Sequence, residues 1–243
     1  HEIFSAADFA SEALPHMHAL NAQGKIPLLV GGTGLYFRAL IQGLSEMPAA
    51  DAQVRKVLKA KAEAEGWPAM HAQLQSIDPI SAARIHPNDP QRVLRALEVY
   101  TVSGKSLTDW QAQTELKPLT FRVLEIVLAH TDRNILHQRI ELRFDQMLEQ
   151  GFLDEMRGLM SNPLLHRDLP SMRAVGYRQA WSHLSGESNF DQFRNLAIIA
   201  TRQLAKRQLT WFRSSLSSHW LDPQSQTDTL NYVVRKFINR LEN

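Results

Sequence analysis

The stretch IPLLVGGTGLYFRAL, residues 26–40, carries the reading of the fold. A short apolar run stops at Gly31, Gly32, Thr33 and Gly34, and a helical pattern follows. Residues 25–30 have the texture of a buried parallel strand. Glycines after a strand let the backbone approach a ligand closely, and the next helix N-terminus offers free N–H groups to an anion. A P-loop needs G-x-x-x-x-G-K-[ST]. Here Arg38 lies four residues after Gly34, too far along to stand for that lysine. Spacing alone leaves two readings open: a turn built around a ligand, or a structural strand-to-helix turn.

Working outward, residues 5–23 read as a helix. Ser5 can cap it with Asp8 three residues on, Phe9, Ala13, Leu14 and Met17 form an apolar stripe, and Gly24 ends it. Helix, strand, turn and helix in that order predict an α/β core. Between Pro48 and Pro118 the strand-like runs vanish. Residues 51–65, 68–77 and 79–85 read as helices. Asp89-Pro90 starts another, with Val93, Ala96, Leu97 and Tyr100 on one face and Gly104 as its stop. Core texture returns at residues 121–129, a strand candidate. A helical segment follows at 134–160, broken at Gly151, then a turn at 170–178, a basic amphipathic helix at 191–212 and a last short strand at 218–221. The expected organisation is a core part at 1–46, an all-helical insertion at 47–118 and a second core part at 119–243.

Composition narrows the function classes. The 243 residues are 44% hydrophobic and 21% charged, with net charge +2 and no cysteine. Those values are ordinary for a soluble globular protein. No apolar run approaches the ~20 residues of a membrane-spanning helix, so no membrane role is expected. Absence of cysteine removes disulfides and thiolate metal sites and fits a reducing compartment, the cytoplasm. The ten histidines are scattered, with no H-E-x-x-H pair, and no nucleophile elbow appears.

The cations are distributed unevenly. From Gln192 to Leu221 the basic residues Arg194, Arg202, Lys206, Arg207 and Arg213 run without an acidic interruption. At about 100° per residue, Arg202, Lys206 and Arg213 fall within roughly 40° of one another, an arrangement that can neutralise phosphates along one track. Leu196, Ala200, Leu204, Trp211 and Phe212 are the expected anchors of that helix. Arg92 and Arg95 share the face opposite Val93 and Leu97, which suits phosphate or base edges; a solvated face with Glu98 pairing Arg95 or a neighbour such as Arg92 is the plainer reading and the one that local spacing favours. Arg173 and Arg178 flank Gly176 and Tyr177, either as single-stranded nucleic-acid chemistry or as a helix start with Tyr177 in the core. Arg139 and Arg143 alternate with Glu141 and Asp145. Surface ion pairs would explain the pattern, and a buried Arg143 facing a phosphate is the sharper alternative.

In combination, LLVGGTGLYFRAL, HPNDPQRVLRALEVY, SGKSLT, HQRIELRFDQML, LPSMRAVGYRQAW and TRQLAKRQLTWFR resemble the tRNA dimethylallyltransferase (tRNA isopentenyltransferase) family. The resemblance implies a P-loop-like α/β core with a helical insertion. It implies transfer of a dimethylallyl group from dimethylallyl diphosphate to N6 of the adenosine 3′ of the anticodon, the base being flipped into a channel. It implies Mg²⁺, with ligands outside this chain, the tRNA anticodon stem-loop as partner, and a monomer. Carried over by position, Thr33 contacts the target nucleotide and Arg143 faces the diphosphate leaving group. Arg55 and the run Gln91, Arg92, Val93, Leu94 and Arg95 contact tRNA. So do Arg173, Ala174, Val175, Gly176, Tyr177 and Arg178, and likewise Lys206, Arg207, Gln208, Leu209, Thr210, Trp211, Phe212 and Arg213, with Arg202 on the same basic helix. The family's G-P-T-x-S-G-K-[ST] loop and the stretch with its general-base aspartate do not occur here. The sequence starts at His1 rather than methionine, and the expectation is that both lie upstream and that this piece alone does not catalyse. Two alternatives are an adenylate isopentenyltransferase and a non-catalytic RNA-binding module.

Overall fold

The computed structural model describes residues 4–45, 47–113, 119–214 and 218–240. The chain divides into two compact units, residues 1–37 with 120–243, and residues 38–119. The sequence-based boundaries at 46/47 and 118/119 differ from these because the first division falls inside a helix, where local pattern does not change.

In the first unit, α1 (Ala6–Ala22) starts on the expected reciprocal cap: the Asp8 amide donates to Ser5 Oγ at 3.2 Å and the Ser5 amide to Asp8 Oδ2 at 2.8 Å. Phe9 stacks on Tyr36 with ring centroids 4.8 Å apart, which sets α1 against the start of α2 (Gly34–Gln42). Residues 25–30 between them are not a strand. Leu28 and Val30 are each 86% exposed, because a strand exists only where a neighbour takes its N–H and C=O groups, and none of the described residues does so here.

The second unit is helical, as the sequence predicts. It comprises α3 (Ala52–Glu65), α4 (Trp67–Ile77), α5 (Pro79–Arg84), α6 (Pro90–Ser103) and α7 (Leu107–Gln113). Leu58, Met70, Leu74, Val93, Ala96 and Leu97 form its core. Gly104 closes α6 in the left-handed region at φ 70°, a conformation glycine adopts without a Cβ penalty. The SGKSLT block, residues 103–108, is structural. Ser106 caps α7 by accepting from the Asp109 amide at 3.0 Å. The Thr108 hydroxyl and amide both donate to buried Asp78, at 2.6 and 2.9 Å, and Asp78 caps α5 through the Ser81 amide at 2.9 Å.

Back in the first unit, β1 (Ile126–Leu128) pairs in parallel with β2 (His219–Leu221), in register Ile126–His219, Val127–Trp220 and Leu128–Leu221. The expected α/β core is thus, among the described residues, a mostly helical body with one parallel pair of strands. The long helix breaks where expected, into α8 (Arg133–Glu149) and α9 (Phe152–Met160), with Gly151 at φ 92°. α10 (Tyr177–Leu184) and α11 (Phe190–Phe212) follow, and α12 (Thr227–Asn239) is an element that the sequence pattern did not single out. Phe144, Phe152, Met156, Ala180, Phe193, Ala197 and Ile198 make this unit's core. The α11 anchors are therefore Phe193, Ala197 and Ala200 at i, i+4 and i+7, whereas Leu196 and Trp211, expected as anchors, are exposed.

Candidate nucleic-acid interface

The glycine turn and the C-terminal half of α11 form one assembly. Gln208 Nε2 donates to the Gly32 carbonyl at 3.0 Å. A Cβ on Gly32 would collide with the Gln208 amide, and one on Gly34 with the Trp211 ring. Gln208 and Trp211 are three apart and share a helix face, so the turn lacks side chains because that face packs onto it. Thr33 stays exposed between the two glycines, and its carbonyl starts α2 by accepting from the Tyr36 amide at 2.9 Å.

The predicted cations separate into two groups. Arg202 is half-buried and ion-paired with Glu141 of α8. Arg194 grips Asp145 of the same helix through Nε and Nη2, both at 2.6 Å, and that guanidinium holds the Asp145 carboxyl below its usual pKa. The surface ion pairs expected of the alternating α8 charges form for its two carboxylates, Glu141 and Asp145, with both partners supplied by α11. Arg202 accordingly faces α8, while Lys206 and Arg213, on nearly the same angular track, are exposed and have no carboxylate partner among the described residues. Arg213 lies over the Trp220 ring at 5.6 Å. Arg207 and Arg143 are also exposed without such a partner, so Arg143 is not the buried arginine of the sharper sequence reading.

The LPSMRAVGYRQAW block folds as a tight turn into α10. Gly176 adopts φ 94°, and its amide donates to Gln179 Oε1 at 2.9 Å. Tyr177 resolves to the core alternative. Its ring stacks on Phe152 at 5.7 Å and its hydroxyl donates to Glu155, a hydrogen bond that raises the phenol's pKa. Arg173 and Arg178, exposed and without a carboxylate partner among the described residues, line an open pocket of about 360 Å³ with Arg167, Asp168, Met172 and Trp181. Ala174 is exposed and Val175 half-buried beside them.

In the helical unit Arg55 and Arg95 are engaged. Glu98 is fully buried. Its Oε1 accepts from Arg55 Nε at 2.7 Å and the Asp51 amide at 2.9 Å. Its Oε2 accepts from Arg55 Nη2 at 3.0 Å and Arg95 Nη1 at 2.8 Å. Arg95 also donates to the Pro48 carbonyl at 2.7 Å. Burial works to raise the Glu98 pKa, but the hydrogen bonds from Arg55, Arg95 and the Asp51 amide outweigh it and hold the group below 4.5. Of the run 91–95, Val93 is core, Leu94 half-buried, Gln91 exposed, and Arg92 exposed beside Asp89 at 3.4 Å. In the sequence Glu98 is legible only as a possible partner of Arg95 or Arg92. Its role as the hub of this unit depends on Asp51 and Arg55, which reach it from 43 to 47 residues away, and no local signal announces that.

Fold and exposed cations define a class: a mostly helical protein presenting unneutralised arginine and lysine from several separate segments, as a polyanion requires. Residues 1–215 match the family model described as IPP transferase. The chain is 52% identical over 244 aligned residues to a tRNA dimethylallyltransferase of Stenotrophomonas maltophilia (strain R551-3), covering 98% of this chain and 77% of that protein. It is similar to the full-length tRNA isopentenylpyrophosphate transferase from Bacillus halodurans, with TM-score 0.64, 34% identity, and 98% and 74% of the two chains covered. It is also similar to a eukaryotic dimethylallyltransferase acting on tRNA, with TM-score 0.77, 25% identity, and 98% and 63% covered. The chain belongs to the IPP transferase family.

Proposed function

We propose that the protein acts as a tRNA dimethylallyltransferase, moving the dimethylallyl group of dimethylallyl diphosphate to N6 of the adenosine 3′ of the anticodon. The N6 lone pair attacks the allylic carbon. The carbon–oxygen bond breaks, its electron pair leaves with the diphosphate, and one N6 proton passes to a base. Arg143 meets the charge growing on the leaving group. Thr33 contacts the target nucleotide. Arg173, Arg178, Lys206, Arg207 and Arg213 take phosphates, and the helical unit meets the anticodon stem-loop through Gln91 and Arg92, with Arg55 and Arg95 holding that unit's shape around Glu98.

Mg²⁺ belongs to the proposal through the family resemblance. Among the described residues no three His, Asp or Glu side chains gather into a metal site. A monomer acting in the cytoplasm completes the reading; no described helix is long and apolar enough to cross a membrane.

The observation that carries the proposal is the separation of cations in the first unit. Arg194 and Arg202 are neutralised by α8, while the exposed Arg143, Arg173, Arg178, Lys206 and Arg213 have no carboxylate partner among the described residues. The test is incubation of the protein, expressed from its whole open reading frame, with dimethylallyl diphosphate and cognate tRNA, followed by nucleoside analysis. Isopentenyladenosine at the expected position supports the proposal. No product, with no tRNA binding by the protein, refutes it.

A further inference from the structure

Four charged residues of α8 alternate in sign, and the structure treats them unequally. Glu141 and Asp145 are both taken by arginines of α11. The two arginines keep their charge. Arg143 has no partner among the described residues, and Arg139 donates from Nη1 to His130 Nε2 at 2.9 Å. A guanidinium has donors only, so Nε2 is the acceptor, the ring is neutral, and its proton sits on Nδ1. Arg139 is therefore held in place without being neutralised, which a carboxylate partner would not allow.

The histidine is placed for that task. His130 stands two residues past the end of β1, its side chain is 7% exposed, and Nδ1 makes no hydrogen bond. Nδ1 faces Asp222 Oδ1 at 3.6 Å. Asp222 follows β2 directly and is itself fixed, Oδ2 accepting from the Thr131 amide at 2.8 Å and Oδ1 from the Gln224 amide at 3.0 Å. Those amides hold the carboxyl down to about 2, so it stays ionised and orients the Nδ1–H dipole. Both residues thus stand at the carboxyl ends of the two parallel strands, the edge at which open α/β sheets bind ligands. Arg139 and Arg143, one turn apart, have Cβ atoms about 6 Å from each other on one face of α8.

We propose that Arg139 and Arg143 form a two-arginine clamp for a diphosphate, and that His130, backed by Asp222, is the positioning residue that sets the Arg139 guanidinium. This rests on the transferase reading for the identity of the ligand, the diphosphate of the prenyl donor; the alternative source of phosphoryl groups is the RNA backbone. The geometry makes two demands. Removing Arg139 removes one arm of the clamp. Replacing His130 by a residue of similar bulk without an acceptor frees Arg139 to swing, whereas glutamine restores an acceptor oxygen.

The experiment measures KM for dimethylallyl diphosphate, tRNA affinity, and direct binding of inorganic pyrophosphate in the wild type and in Arg139→Ala, His130→Phe and His130→Gln. Arg139→Ala and His130→Phe each raise the donor KM and the pyrophosphate Kd about tenfold, the effect of removing one charge-assisted hydrogen bond. Their tRNA affinity is unchanged, and His130→Gln returns most of the donor affinity. Unchanged donor KM and pyrophosphate Kd in Arg139→Ala overturn the clamp. Loss of tRNA affinity with the donor KM and pyrophosphate Kd intact reassigns the pair to RNA phosphates and overturns it too. His130→Gln behaving like His130→Phe overturns the positioning role. A wild type that makes no product fails the transferase reading instead, and the pyrophosphate titration then decides the clamp by itself.

Discussion

Replacing Arg55 by alanine separates a structural arginine from an RNA contact. Arg55 makes two hydrogen bonds to the Glu98 carboxylate, at 2.7 and 3.0 Å. Each bond to a charged group contributes about 1.5–3 kcal/mol. The Arg55 side chain is 37% exposed, so water screens the pair and the lower value applies. Glu98 keeps Arg95 and the Asp51 amide in the variant, but its charge loses half of its four donors while fully buried. The sum is about 3 kcal/mol, the low end for breaking a buried ion pair from one side. At about 2–4 °C per kcal/mol for a chain of this size, Tm falls by about 6–12 °C. Acid unfolding gives an independent reading. The folded pKa of Glu98 lies below 4.5; its stabilisation is present above the unfolded value and is lost as pH falls through the folded one. Arg55→Ala moves the folded value back toward the unfolded one, so less stability is lost through Glu98 in acid: the Tm deficit of the variant is largest above the unfolded pKa and narrows as pH falls below it, while the alkaline limb does not move. The assays are thermal melting from pH 3 to 8 and tRNA binding at a temperature where the variant is folded. An unchanged Tm across that pH range, together with weakened tRNA binding, would refute the reasoning and make Arg55 a contact residue.

Two further outcomes follow from the α11 assembly. Gly34→Ala puts a methyl group into the Trp211 ring, and overpacking of this kind costs about 1–3 kcal/mol; the expected result is a lower Tm with altered tryptophan emission, and an unperturbed spectrum would show that the turn and α11 do not pack this way. Lys206→Ala with Arg213→Ala lowers the slope of log affinity against log salt by about 0.7–0.9 for each phosphate no longer neutralised, whereas Arg202→Ala, whose partner is Glu141, lowers Tm and leaves that slope nearly unchanged; equal slopes in all three proteins would remove α11 from the RNA surface.

Much of the local structure is legible in the residues. Ser5 with Asp8, Asp89-Pro90, Gly104 and Gly151 are read correctly because caps and left-handed stops depend on a few adjacent groups. The strand expected at residues 25–30 fails for the opposite reason: pairing needs a neighbour, and the local apolar run cannot specify one. Tyr177 and the run 91–95 are legible only as alternatives. Whether Tyr177 stacks in the core depends on Phe152, which approaches from α9.

By itself the sequence determined the family motifs, the helical texture of residues 51–113 and the concentration of cations after Gln192, all of which are properties of composition and short-range order. Only the tertiary structure decided which of those cations remain charged toward solvent. Arg202 and Glu141 are 61 residues apart in the chain, Arg194 and Asp145 are 49 apart, and each meets its partner only because α11 packs on α8. Neutralisation is a short-range Coulomb and hydrogen-bond effect in space, so linear charge patterning can nominate the arginines and lysines but cannot tell a paired one from a free one.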